Sequence, residues 1–172
     1  MLKTMTFLLF YIISFNTFSQ ECRTSLINFD TPTSRFIPLK EGAIVLDKET
    51  QLIWQRCSLG QSWENNGECT GNAKKYSFYK AQEVAKFTNF SGFNDWRVPT
   101  IDELESIIEL ACYEPAINTT IFPNTEISAN YWSSSSYVSD VFNSWSVRFH
   151  HGYNHHGSRL DDFFVRLVRV EE

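Results

Sequence analysis

The sequence lacks most of what marks the common function classes. Beyond residue 20 no apolar run is long enough to cross a bilayer. Positive charge is in deficit, with 15 Lys and Arg against 20 Asp and Glu and a formal net charge of −5. A nucleic-acid partner is therefore not expected, because binding phosphates needs a basic face. No C-x-x-C pair is present, so the four cysteines lack the spacing of a zinc site. No Ser-His-Asp set and no paired carboxylates stand out for nucleophilic or acid–base catalysis. With 42% apolar and 20% charged residues, the chain is neither disordered nor collagen-like. What it has is aromatic rings, 16% of the chain and 15 of them Phe. That is enough for a dense core with rings left over for a binding surface.

The first 19 residues read as a secretory signal. They hold one charge, Lys3, and an apolar stretch over residues 7–18 broken by Ser14, Asn16 and Thr17. Thr17 and Ser19 are small residues at −3 and −1 of a cut before Gln20. A buried N-terminal helix is the alternative. Ser19-Gln20-Glu21 ahead of Cys22 is not a lipoprotein box, so a released protein is expected, with residues 20–172 as a single domain. Cys22, Cys57, Cys69 and Cys112 all lie in that mature chain. An even number in an oxidising compartment predicts two disulfides, with three possible pairings. Cys57–Cys69 is favoured, since Gly60, Asn65, Asn66 and Gly67 suit a looped excursion. Cys22–Cys112 then ties the N-terminal arm to the end of a helix.

Residues 20–40, with Pro32 and Pro38, read as an irregular arm. Two short strands are predicted over residues 43–47 and 51–55 around Lys48-Glu49-Thr50. Ser77 can cap a helix from Phe78 to about Thr88, with Phe78, Ala81, Val84, Ala85 and Thr88 at helical spacing. Residues 92–99 read as a loop. Thr100 with Glu103 forms a capping box, followed by Leu104, Ile107, Ile108 and Ala111. From Asn130 onward the pattern is β. Trp145, Val147 and Phe149 alternate with Ser146, Arg148 and His150, which predicts a core face and a solvent face. A last strand is expected over residues 164–170. The whole reads as an α+β domain of two helices with a mainly antiparallel β core.

Five segments in order carry a resemblance. They are Asp47-Lys48-Glu49-Thr50-Gln51-Leu52-Ile53-Trp54-Gln55-Arg56-Cys57; Gly92-Phe93-Asn94-Asp95-Trp96-Arg97-Val98-Pro99-Thr100 with Glu103-Leu104; Phe122-Pro123; Tyr131-Trp132-Ser133-Ser134-Ser135; and Val165-Arg166-Leu167-Val168-Arg169. Together they resemble the Lcl C-terminal domain family over roughly residues 33–170. The Arg97 segment is also similar to formylglycine-generating enzymes. The resemblance implies a C-type-lectin-like fold with its termini brought together as paired strands and ligands held on a loop-rich surface. No Cys follows Cys112, whereas those enzymes place reactive cysteines late in the domain, so catalysis is not expected. Trp54, Trp96 and Trp132 read as buried anchors, and Asp95 and Arg97 as a pair under their loop. Glu114-Pro115 invites a calcium site, but Ala116 and Ile117 follow where polar ligands are wanted.

The tail has an odd composition. Lys, Glu, Gln and Met supply 25 of the first 136 residues and none of residues 137–170. At equal usage that gap has a chance of about 0.1%, or about 1% once the choice of window is allowed for. Asparagine codons randomised at their adenines yield a pyrimidine third base, and such codons cannot encode those four types. The tail thus resembles the variable region of proteins diversified by retroelements, some of which use this domain family. The fixed frame is Trp145, Val147, Phe149 and Gly152, closed by residues 165–169. The candidate ligand-binding residues are Phe142, Asn143, Ser146, Arg148, His150, His151, Tyr153, Asn154, His155, His156, Ser158, Arg159, Leu160, Asp161, Asp162 and Phe163.

The expected function is non-catalytic binding of a protein or glycan on another cell or in the extracellular milieu, with no cofactor. A fixed-specificity adhesin or glycan-binding protein is the alternative. Sulfated glycans, a family precedent, fit poorly with the negative net charge. A metal reading of the His tract would draw on His150 and His155, but no Asp, Glu or Cys stands at a supporting spacing. An ordinary polar hairpin is the remaining alternative.

Overall fold

The computed structural model describes residues 20–23 and 27–171. The expected signal segment, residues 1–19, lies outside them. The elements run β1 (Glu21–Cys22), β2 (Phe36–Leu39), β3 (Ile44–Asp47), β4 (Leu52–Gln55), β5 (Ser62–Trp63), β6 (Cys69–Thr70), α1 (Phe78–Lys86), α2 (Ile101–Glu105), β7 (Cys112–Tyr113), β8 (Tyr131–Ser136), β9 (Asn143–Arg148), β10 (Tyr153–Ser158) and β11 (Val168–Val170). Every strand pairing between these elements is antiparallel. The result is an α+β domain, as the pattern predicts. No helix among the described residues is long and apolar enough to cross a membrane.

Two sheets carry the structure. One has the order β11-β4-β3-β2 and the other β10-β9-β8. The last strand thus joins a sheet with strands from the first third of the chain, while the first described strand, β1, pairs with β7. The expected pairing of the two termini is met only in the sense that β11 lies on β4. The 20–40 arm is less irregular than predicted: it contributes β1 and β2. Pro38 is tolerated in β2 because that strand is a sheet edge.

The helices are shorter than their apolar spacing predicts. α1 ends at Lys86, and the Ser77 side chain makes no capping bond, although its backbone occupies the cap position. The capping box of α2 is complete: Thr100 Oγ1 accepts from Glu103 N, and Glu103 Oε2 accepts from Thr100 N at 2.8 Å. The helix nonetheless stops at Glu105. Ile107, Ile108 and Ala111 are buried from turns instead. Those turns carry Glu109 inward, where its carboxylate accepts from Thr31 N (2.8 Å), Thr31 Oγ1 (2.9 Å), Asp30 N and Ala111 N. A helix continued through these residues leaves those buried donors of the arm without an acceptor.

Asp95 and Arg97 do not pair with each other. Asp95 accepts from Arg169 Nε at 2.8 Å, and Arg97 makes a bidentate bond to Glu103, both contacts 2.6 Å. Burial raises the Glu103 carboxyl pKa, but Arg97 and the Thr100 backbone outweigh it and hold it below its ordinary value. Trp54, Trp96 and Trp132 are buried, as anchors should be. The indoles of Trp96 and Trp132 donate to Phe90 O and Tyr76 O.

Both expected disulfides are present, Cys22–Cys112 and Cys57–Cys69, and no cysteine is free. Such bonds suit folding in an oxidising compartment. Their loops differ, with sequence separations of 90 and 12. By loop-closure entropy, replacing the Cys22–Cys112 pair by Ala should cost about 4.5 kcal/mol and the Cys57–Cys69 pair about 3 kcal/mol. Urea denaturation of the two double variants measures both losses, and non-reducing peptide mapping should recover each linked pair.

Candidate ligand-binding surface

The tail folds as the hairpin β9–β10, and register decides what each residue faces. Tyr153, His155 and Gly157 lie opposite Arg148, Ser146 and Ser144; Asn154, His156 and Ser158 lie opposite Val147, Trp145 and Asn143. The outer edge of β8 is taken: Trp132 N donates to Phe164 O, and Phe164 N to Asn130 O. β10 is therefore the free edge of this sheet. Tyr153, Asn154, His155 and His156 are exposed in succession along it.

The predicted core face needs correction at two positions. Val147 and Phe149 are fully buried, but Trp145 is only half-buried, its ring edge-on to Tyr137 at 4.9 Å. Ser146, expected on the solvent face, is completely buried. Its hydroxyl accepts from Asn130 Nδ2 (3.1 Å) and donates to His155 O (3.2 Å). The reason is that both faces of this sheet are covered. Tyr131 and Val147 belong to the larger core cluster, while Trp132, opposite Ser146, belongs to the cluster of Phe78 and Phe163. Period-two alternation separates two faces; it reports solvent only where one face is wet.

Five candidates converge at the hairpin tip. Arg148, His150, His151, Tyr153 and His155 line an open hollow of about 360 Å³. Gly152 makes the turn: its φ is +73°, and a Cβ there would meet Ile108 Cγ2 at 2.6 Å. Asn154 faces the other way and donates to Glu105. The His156 ring stacks on Tyr137 with centroids 4.2 Å apart.

The remaining candidates lie at the far end, about 17 Å along the ladder. Phe142 and Leu160 are 77% and 82% exposed, joined through the bond from Arg159 N to Phe142 O. Val138 and Val141, on the same loop as Phe142, are also bare, at 93% and 70%. Asp161 and Asp162 are exposed. Other residues here hold the structure. Arg159 donates to Ser144 Oγ and Ser136 Oγ and stacks on Phe78; Ser158 N donates to Asp161; Asn143 donates to Asp140. Phe163 packs on Trp132 at 4.3 Å, so it is half core. Apart from the buried Ser146, the candidates thus fall into two groups joined by β10.

Tyr79, Val138, Val141 and Glu114 went unrecognised as neighbours of these patches. Tyr79 is exposed on α1 beside Arg159, and Glu114 lies 3.4 Å from His150.

The model of the Lcl C-terminal domain family matches residues 43–169. The chain belongs to that family. No curated protein matches the chain significantly. The matched span of the Lcl C-terminal domain begins just before β3 and ends within β11, so it contains the whole β10-β9-β8 sheet with its hairpin and the other main sheet except for its edge strand β2.

Burial sorts frame from surface, and stability measurements should follow it. Phe149→Ala should cost about 3–5 kcal/mol, and Arg148→Ala under about 0.5 kcal/mol. Trp145→Ala should fall between them. Urea melts of the three variants check the order, and equal losses at Phe149 and Arg148 would show the assignment to be wrong.

Proposed function

We propose that this Lcl C-terminal domain is a secreted, non-catalytic ligand-binding protein displaying a variable C-terminal surface on a C-type-lectin-like scaffold. The carrying observation is the coincidence of composition and exposure. The stretch without Lys, Glu, Gln or Met contains the free edge strand, exposed at Tyr153, Asn154, His155 and His156, while Val147, Phe149 and residues 164–169 are buried beneath it. A surface of Tyr, Ser, Asn, His, Arg and Gly has the make-up of an antibody paratope, with rigid rings plus adaptable polar groups. Diversification by a retroelement accounts for the missing residue types. The oxidised state of all four cysteines favours binding over thiol chemistry.

A protein is the ligand class the surface fits best. The bare side chains of Val138, Val141, Phe142 and Leu160 offer apolar contact, and a partner covering about 800 Å² can reach from them to the hairpin tip. Tyr153 supplies a ring of the type that contributes about 2 kcal/mol or more at a binding hot spot.

Replacing Arg148, Tyr153, His155 and Leu160 together by Ser should abolish capture of the native target from extracellular material. The melt should stay nearly unchanged, as all four side chains are exposed or at the rim. Equal affinity of native and four-Ser proteins for the same partner would remove the tail as the recognition surface. The retroelement part stands on the flanking DNA, where a near-copy of the 3′ end differing at adenines should lie beside a reverse transcriptase gene. Its absence would leave a fixed-specificity adhesin.

A further inference from the structure

At the hairpin tip the chain brings together three metal-ligating side chains, two adjacent in sequence and one distant. Glu114 follows β7, and His150 and His151 precede Gly152. Their ligand atoms all lie within 4.8 Å of one another. His150 Nε2 and Glu114 Oε1 are 3.4 Å apart. Two ligands on one tetrahedral ion with bonds of 2.0–2.1 Å are separated by about 3.3–3.4 Å. The Glu114–His150 pair therefore already has the spacing of two corners of such a site. The His151 ring must close by at most about 1.4 Å to complete the third corner. It is exposed and free to turn, with its centroid 4.0 Å from that of His150.

The backbone holds these ligands side by side. Glu114 N donates to His150 O at 2.7 Å, and Ala116 N to Phe149 O at 2.6 Å. Cys112, two residues before Glu114, is fixed by its disulfide to Cys22. Phe149, one residue before His150, is locked in the core. Among the described residues no hydrogen bond engages the side chain of Glu114, His150 or His151, so their lone pairs remain available to an ion.

We propose that Glu114, His150 and His151 bind a divalent transition cation, zinc, at the tip of the β9–β10 hairpin. Two imidazoles and one carboxylate suit zinc rather than calcium or magnesium, which take oxygen ligands. Three protein ligands leave one position for water, on the open side of the hollow lined by Tyr153 and His155. Arg148 lines the same hollow and opposes a cation there. It is exposed, and its long stem lets the guanidinium turn into water. The Glu114 carboxylate supplies the local negative charge.

The proposal is independent of what ligand the tail recognises, and its test needs no partner. Tag-free exported protein should bind one equivalent of zinc by titration calorimetry. It should also give the intense visible bands of tetrahedral cobalt when Co²⁺ is used instead. Glu114→Gln and His151→Ala should each weaken zinc at least about tenfold, since even disturbing an outer partner of a metal ligand costs that much. Both substitutions are mild for the fold, one being isosteric and the other exposed. His156→Ala, whose ring stacks on Tyr137 on the opposite face of β10, should leave the affinity unchanged. Less than one equivalent bound would overturn the site. So would affinity insensitive to Glu114→Gln and His151→Ala, or lost only with His155→Ala or His156→Ala.

Discussion

The C-terminal segment from Phe163 to Val170 runs between the two halves of the core and supplies side chains to both. Phe164 and Val168 join the cluster of Trp54, Phe122 and Tyr131, while Val165 and Leu167 join that of Trp96 and Trp132. Its backbone bonds to five separate stretches: Phe163 with Tyr76, Phe164 with Asn130, Val165 with Leu59, Leu167 with Gln55, and Val168 with Arg97. Within it Arg166 is wholly buried, with no carboxylate partner among the described residues. Burial lowers its guanidinium pKa to about 10. Its two terminal nitrogens donate to Gln55 O, Arg56 O and Thr125 Oγ1, its Nε has no partner among the described residues, and the guanidinium stacks over Phe122 at 4.8 Å. A planar fork can serve several acceptors at once, which is what makes a buried cation tolerable at this junction.

That constraint explains where variation is tolerated. The hairpin β9–β10 enters the fold through β8 on one side and returns directly into the buried segment on the other. Its ladder bonds are made by backbone and do not depend on side chains. Side chains on β10 meet water, so changing them removes little packing. Gly157 is an exception, as a Cβ there would meet the Phe163 ring at 2.6 Å. The frame is therefore stricter than the visible core: it includes the glycine that lets Phe163 pack on Trp132.

The two ends of the hairpin have different chemistry. The tip is polar and rich in imidazole, fastened to the disulfide-tied strand β7. The far end sets bare Val138, Val141, Phe142 and Leu160 beside exposed Asp161 and Asp162, on the loops of residues 137–142 and 158–162. A partner that spans both gains apolar contact at one end and directional bonds at the other, which is how affinity and specificity separate at many interfaces.

By itself the sequence determined the family, the α+β class, the capping box, the number of disulfides and the β character of the tail. These depend on local spacing, on cysteine parity or on motifs contiguous in the chain. It did not determine the length of α2, because the turns after Glu105 answer to Glu109 and its distant partners in the arm. The true partners of Asp95 and Arg97 were hidden for the same reason. The burial of Ser146 was hidden because alternation names faces without saying whether either is wet. Glu114 met His150 and His151 only through tertiary structure, across 36 residues, since pairing of backbone segments and not sequence spacing set their distance.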